Sequence, residues 1–128
     1  MLILLDTHVL LWALAAPEKL SKTVREHLED PDADIRFSAA SIWEIAIKSE
    51  LGLVTFPVRP DEIVAAAIDS GFRELPVRAA AAALVASLPR HHHDPIDRLL
   101  LAQAVSEPAR FCTVDKSLAP YSDLVRFL

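Results

Sequence analysis

Leu2–Leu5 is an unbroken run of four apolar residues with Asp6 directly behind it, and Val9–Ala15 resumes an apolar pattern almost at once. A strand with one face in water alternates apolar and polar residues. An unbroken run fits instead a strand covered on both faces, as in a parallel sheet. The rest of the chain repeats this pairing of short strand and helix. Ser21 is placed as the N-cap of a charged helix, Lys22–Glu29, with Leu20, Val24 and Leu28 at helical spacing. Ile35–Ser38 reads as a strand and Ala39–Leu51 as a helix stopped by Gly52. Asp61–Ser70 reads as a helix ended by Gly71, and Phe72–Leu75 as a strand. An alanine-rich helix, Arg78–Ser87, closes at Pro89 and precedes a helix over Pro95–Ser106. A strand over Arg110–Val114, a short helix over Lys116–Pro120 and a last strand over Leu124–Leu128 complete the reading. Strands alternating with helices predict an α/β domain whose mostly parallel sheet has helices on both faces. No repeat, low-complexity linker or composition break divides the chain, so residues 1–128 read as one domain.

Several classes of protein are excluded. Hydrophobic residues make up 52% of the chain, too many for disorder. Cys112 is the only cysteine, which rules out an internal disulfide and a cysteine-rich zinc site. No apolar run approaches the ~20 residues of a membrane span. The apolar start lacks a basic leader and is interrupted by Asp6, so the expected location is the cytoplasm. The net charge of −5 argues against a module that grips nucleic acid by counterion release alone. Contact with RNA would need a metal ion, a basic rim or a partner to offset the acids. A P-loop pattern is absent. A phosphotransfer receiver would need an acidic pair after its first strand, where Asp6 stands alone. A haloacid-dehalogenase-type phosphatase would need an acid at position 8, which is His8.

In parallel α/β sheets, ligands bind outside the carboxyl ends of the strands. Asp6 and Asp115 directly follow predicted strands. Glu44 lies early in the helix after the strand ending at Ser38, and Asp97 lies in the first turn of Pro95–Ser106 behind Asp94. Each acid also has a structural reading. Asp6 and Asp115 can be N-caps, Asp94-Pro95-Ile96-Asp97 can be a cap with a dipole-favoured acid, and Ser41-Ile42-Trp43-Glu44 matches a capping box. Two points weigh for a site. The helix starts more naturally at Ser38 or Ala39, which makes Ser41, Glu44 and Lys48 a single polar stripe on an otherwise apolar helix. Carboxylates gathered at one edge also repel, by about 4 kcal/mol per pair 4 Å apart at an effective dielectric of ~20. Such a cluster needs raised pKa values or a cation, and oxygen ligands suit Mg²⁺ or Mn²⁺.

Leu4–His8 (LLDTH), Ser38–Lys48 (SAASIWEIAIK), Asp94–Ala104 (DPIDRLLLAQA) and Thr113–Asp115 (TVD) together resemble the PIN-domain ribonucleases, nearest the toxins of VapBC toxin–antitoxin pairs. The resemblance runs in order and spacing from Leu2 to Tyr121. It implies a three-layer α/β/α sandwich and makes Asp6, Glu44, Asp97 and Asp115 the metal-binding and catalytic carboxylates. Asp94 belongs to the same motif as a further candidate ligand, and Thr7 and Thr113 match supporting hydroxyl positions. Implied with these are one or two Mg²⁺ or Mn²⁺ ions and endonucleolytic RNA cleavage by in-line attack of activated water, leaving 5′-phosphate and 3′-hydroxyl ends. Folded targets such as tRNA or rRNA, a cognate antitoxin and a toxin homodimer are implied as well, with no membrane role. The opposite class is a non-catalytic interaction domain in which every acid is a cap.

Lys48, Arg98 and Lys116 stand beside the acids as candidates for phosphate contact or charge balance, with Arg98 read as a salt bridge or antitoxin contact. His91, His92 and His93 cannot all face one ion and are read as a solvated, flexible loop. His8 is read as a packed helix residue. Trp12, Trp43, Phe37 and Phe56 are read as core. Leu11, Leu14, Leu51, Leu53, Val54 and Phe56 exceed what one small core requires, and fit either a groove for a partner helix or self-satisfied packing.

Overall fold

The structure is a computed structural model that describes residues 1–53 and 59–128. Val54 and Phe56 lie outside the described residues. Four parallel strands, β1 (Leu2–Leu5), β2 (Asp34–Ser38), β3 (Arg73–Leu75) and β4 (Arg110–Cys112), form one sheet in the order β3-β2-β1-β4. The helices are α1 (Thr7–Ala15), α2 (Lys22–Glu29), α3 (Ala39–Glu50), α4 (Pro60–Asp69), α5 (Ala79–Leu84) and α6 (Pro95–Ser106). Short 3-10 segments run over Pro17–Lys19, Val85–Ser87 and Lys116–Asp123. No helix among the described residues is long and apolar enough to cross a membrane.

The unbroken apolar run of β1 divides its side chains between two cores. Leu4 joins Leu100, Leu101, Phe111, Leu118 and Tyr121 on one face of the sheet. Ile3 and Leu5 join Val9, Leu10, Ile35, Phe37 and Ile45 on the other. The three-layer α/β/α arrangement follows from that alternation. β1 pairs on one side with β2 and on the other with β4, so the chain reverses its direction of travel across the sheet between β1 and β4. A crevice opens at the carboxyl ends of such a strand pair. Asp6 and Thr113 sit there.

Element bounds differ from expectation where tertiary contacts decide. α1 begins at Thr7 because Asp6 caps it. The alanine-rich helix is α-helical only to Leu84 and tightens into a 3-10 turn over Val85–Ser87. The last strand, expected over Leu124–Leu128, contributes one parallel bridge, Phe127 with Phe111, because the 3-10 segment extends to Asp123 and leaves little chain to pair. Gly71, with φ 88, ends α4 in the left-handed region that favours glycine. Of the aromatic residues read as core, Phe37 is buried, whereas Trp43 is 60% exposed. α3 buries Ser41, Glu44 and Ile45 on one face, and Trp43 falls on the other.

Candidate active site

The end of β1 and the end of β4 are tied together by the Asp6 amide, which donates to the Cys112 carbonyl at 2.9 Å. Both oxygens of the Asp6 carboxylate are then held. Oδ1 accepts from the Val9 amide at 2.7 Å, capping α1, and Oδ2 accepts from the Thr113 hydroxyl. Thr113 Oγ1 in turn accepts from the Asp115 amide at 3.0 Å. Asp115 Oδ1 accepts from the Ser117 amide at 3.0 Å and its hydroxyl at 2.6 Å, which opens the 3-10 segment. A string of small hydroxyls thus links the two strand ends and fixes the direction of each acid.

Ser38 is the N-cap of α3, accepting from the Ala40 amide at 3.0 Å while donating to Gln103 Oε1 of α6 at 2.6 Å. Glu44 therefore lies beyond the capping position, and the stripe of Ser41, Glu44 and Lys48 faces inward. Ser41 accepts from the Thr7 hydroxyl at 3.0 Å, which joins α3 to α1. Glu44 is 7% exposed, and its Oε2 accepts from Lys48 Nζ at 2.8 Å. Its Oε1 is buried and has no hydrogen-bond partner among the described residues. On α6, Asp94 Oδ1 accepts from the Ile96 amide at 2.9 Å and the Asp97 amide at 3.3 Å. Asp97 is turned into the cleft, with its Oδ2 2.9 Å from His92 Nε2.

Asp6, Glu44, Asp94, Asp97 and Asp115 line a single cleft of about 410 Å³, together with Thr7, His8, Lys48 and the three histidines. Burial pushes the Asp6 carboxyl above its ordinary value, against the bonds from Thr113 and Val9. Burial, then the neighbouring charge of Asp94, pushes Asp97 up to about 6, although His92 opposes the shift. Asp115 stands near solvent, and the Ser117 bonds hold it below the usual carboxylate range. The Glu44 carboxylate raises the Lys48 ammonium above its ordinary value. A raised carboxylate records a demand for positive charge that the protein leaves unmet. An orphaned, buried carboxylate oxygen records the same demand by geometry. The oxygens of this cleft fit a hard divalent cation.

Several neighbours differ from expectation. Arg98 is buried and makes neither a surface salt bridge nor an outward contact. Its guanidinium donates to the carbonyls of Val85 at 2.8 Å and Leu88 at 3.3 Å, closing the end of the preceding 3-10 turn. His8 is exposed at the cleft and stacks edge-on with Trp12, 6.0 Å between ring centres, so it is not packed inside. The histidine loop is anchored, not loose. Tyr121 Oη accepts from the amides of His91 and His92, each at 3.2 Å, and donates to the Pro89 carbonyl at 2.6 Å. Only His92 turns inward; His91 and His93 remain exposed. Cys112 is buried, and its thiol is pushed up to about 12 by burial and Asp6, so it is no nucleophile. Sequence reasoning missed Ser117, Gln103 and Tyr121. Ser117 had a local signal, a hydroxyl two residues after a capping acid; the other two act across the fold and had none.

The PIN domain family matches residues 3–123. Ribonuclease VapC22 of Mycobacterium tuberculosis is 29% identical over 117 residues, covering 91% of this chain and 88% of that protein. Among solved structures, VapBC2 from Rickettsia felis bound to a DNA fragment from its promoter aligns with a TM-score of 0.73 at 13% identity, over 98% of this chain and 97% of that one. FitAcB from Neisseria gonorrhoeae aligns with a TM-score of 0.60 at 20% identity, over 98% and 96%. These structural likenesses establish a shared fold.

Proposed function

The chain belongs to the PIN-domain family, and on that premise we propose that it is a metal-dependent endoribonuclease, the toxin of a toxin–antitoxin pair restrained by a cognate antitoxin. In this reading Asp6, Glu44, Asp97 and Asp115 are the catalytic carboxylates that hold one or two Mg²⁺ or Mn²⁺ ions, with Asp94 as a further candidate. The observation that carries it is the buried Glu44 Oε1, which has no hydrogen-bond partner among the described residues, in a cleft lined by four other acids. The similarity to Ribonuclease VapC22 supports RNA as the substrate.

A hard divalent cation held by these oxygens supplies Lewis-acid activation of water and neutralises charge on the phosphate. The chain's own part is orientation and charge balance. Thr113 and the Val9 amide take one lone pair from each oxygen of Asp6, so the remaining lone pairs have a fixed direction. The Ser117 amide and hydroxyl both donate to Oδ1 of Asp115 and fix the direction of that carboxylate. Lys48 donates to Glu44 Oε2 and places a positive charge beside that buried side chain. Lys48 and the exposed Lys116 are the cations placed to meet substrate phosphate, which a chain of net charge −5 would otherwise repel.

Residues 1–128 act in this reading as one nuclease domain in the cytoplasm, on folded RNA such as tRNA or rRNA. The antitoxin and a second copy of the chain are its protein partners. Trp43, Leu51 and Leu53, at 60%, 64% and 66% exposure on and just after the helix that carries Glu44, support a covered apolar surface. A second reading has one observation in its favour: Asp6, Asp94 and Asp115 all accept capping bonds. An inert, well-capped scaffold would use them no further.

Asp6→Asn separates the two readings, because asparagine caps as well as aspartate. The expected result is RNA cleavage that requires Mg²⁺ or Mn²⁺, stops with EDTA and is lost in Asp6→Asn, with the circular dichroism spectrum unchanged. A fully active Asp6→Asn protein, or calorimetry showing no Mn²⁺ binding, leaves Asp6, Asp94 and Asp115 as caps alone.

A further inference from the structure

His92 is the one histidine of its loop that turns toward the acids, and it is held there from three directions. The amides of His91 and His92 are fixed on Tyr121 Oη, and Tyr121 is 1% exposed. The imidazole Nδ1 lies 3.3 Å from Ser117 Oγ, whose own proton goes to Asp115 Oδ1 at 2.6 Å. Ser117 Oγ is therefore an acceptor toward Nδ1–H, and the other ring nitrogen, Nε2, faces the cleft 2.9 Å from Asp97 Oδ2. One ligand atom from each of His92, Asp97 and Asp115 falls within 4.8 Å of the others. Ligands that bond one ion at ~2.0–2.6 Å cannot stand much farther apart than this. A second observation points the same way. Glu44, whose buried Oε1 has no hydrogen-bond partner among the described residues, lines the same cleft.

We propose that His92 is a nitrogen ligand of the cation site, completing a set with Asp97 and Asp115 and shifting its preference from Mg²⁺ toward Mn²⁺. Metal-bound imidazoles characteristically donate their other N–H to a fixed partner, which sets tautomer and ring orientation; Ser117 provides that partner here. An all-oxygen set suits Mg²⁺, whereas imidazole favours transition-metal ions. His91 and His93, exposed beside it, are built-in controls. The inference rests on the metal-dependent reading above.

Electron spin-echo envelope modulation of the Mn²⁺-loaded full chain reads nitrogen coordination directly, without an activity assay. The wild-type spectrum is expected to show ¹⁴N modulation that survives in His91→Ala, His93→Ala and His8→Ala and disappears in His92→Ala. Calorimetry should show Mn²⁺ affinity falling ~10-fold or more in His92→Ala, with a smaller loss for Mg²⁺. Mn²⁺ bound with no ¹⁴N modulation in the wild type overturns the inference while leaving the metal reading in place, and needs no variant to fold. Modulation that persists in a folded His92→Ala protein also overturns it, and a simultaneous loss in His8→Ala would name the true ligand. No Mn²⁺ binding at all removes the metal reading, and this inference with it.

Discussion

Asp97 carries the clearest electrostatic burden among the individual residues. Its carboxyl is pushed from 3.8 up to about 6 by burial and by Asp94, so the folded chain holds this proton more tightly than the unfolded chain does. A group raised in the folded state favours folding below its unfolded pKa, and that advantage is lost as pH rises through the folded value. In the metal-free protein, charged Asp97 therefore costs stability at neutral pH. Asp97→Asn keeps a partner for His92 and removes the charge. With EDTA present, the variant should be more stable than the wild type by on the order of 2 kcal/mol at pH 7.5, the gap closing toward pH 4. Urea titrations across that range check it; a gap independent of pH would contradict the assignment. Asp6 was legible in sequence because it directly follows β1, and Asp115 because it follows the strand read over Arg110–Val114, of which only Arg110–Cys112 pairs in the sheet; the structure shows that capping and facing a cleft are compatible in one carboxylate. The state of Asp97 was not legible, since it depends on a loop and a neighbouring helix closing over it. His92 was obscured for the same reason. Three consecutive histidines look alike until Tyr121 fixes which one turns in.

The elements divide into those set by local chemistry and those set by contact. Ser21 caps α2 as its sequence predicts, α3 begins at Ala39 as read, with Ser38 as its cap, and α6 spans Pro95–Ser106 as read. The last strand depends on room left by the 3-10 segment, a quantity with no local signal. α6 offers two separable tests. Asp94 caps it through Ile96 and Asp97, so Asp94→Ala should destabilise by about 1 kcal/mol and Asp94→Asn by only a few tenths. If Asp94 is a cap alone, Asp94→Asn should also leave Mn²⁺ affinity within about twofold, whereas a ligand would lose ~10-fold or more by calorimetry. Arg98, one turn into the same helix, holds the carbonyls of Val85 and Leu88, thirteen and ten residues behind it. Arg98→Met fills similar space but leaves those acceptors unpaired, a loss of about 1–3 kcal/mol in thermal or urea unfolding. A neutral result would mean that solvent reaches those carbonyls.

Across the whole molecule, the parallel sheet gathers the carboxyl ends of its strands, and hence the acids that follow them, at one edge of a chain whose net charge is −5. Two effects of added ions can then be told apart by size. Sodium chloride screens exposed charges within about a Debye length and reaches buried groups poorly. A divalent cation bound only by the folded chain stabilises by mass action, ~2.7 kcal/mol at a hundredfold excess over its dissociation constant. In a domain of this size that corresponds to a rise in melting temperature on the order of 10 °C. Saturating Mn²⁺ should therefore raise the melting temperature by that amount, while NaCl at matched ionic strength raises it by a few degrees at most. Glu44→Gln should lose at least half of the Mn²⁺ increment, because it replaces the carboxylate whose buried oxygen has no hydrogen-bond partner among the described residues. Differential scanning calorimetry under the three conditions decides it. Equal shifts from Mn²⁺ and NaCl would mean that the fold gathers negative potential at this edge without a site for any particular ion.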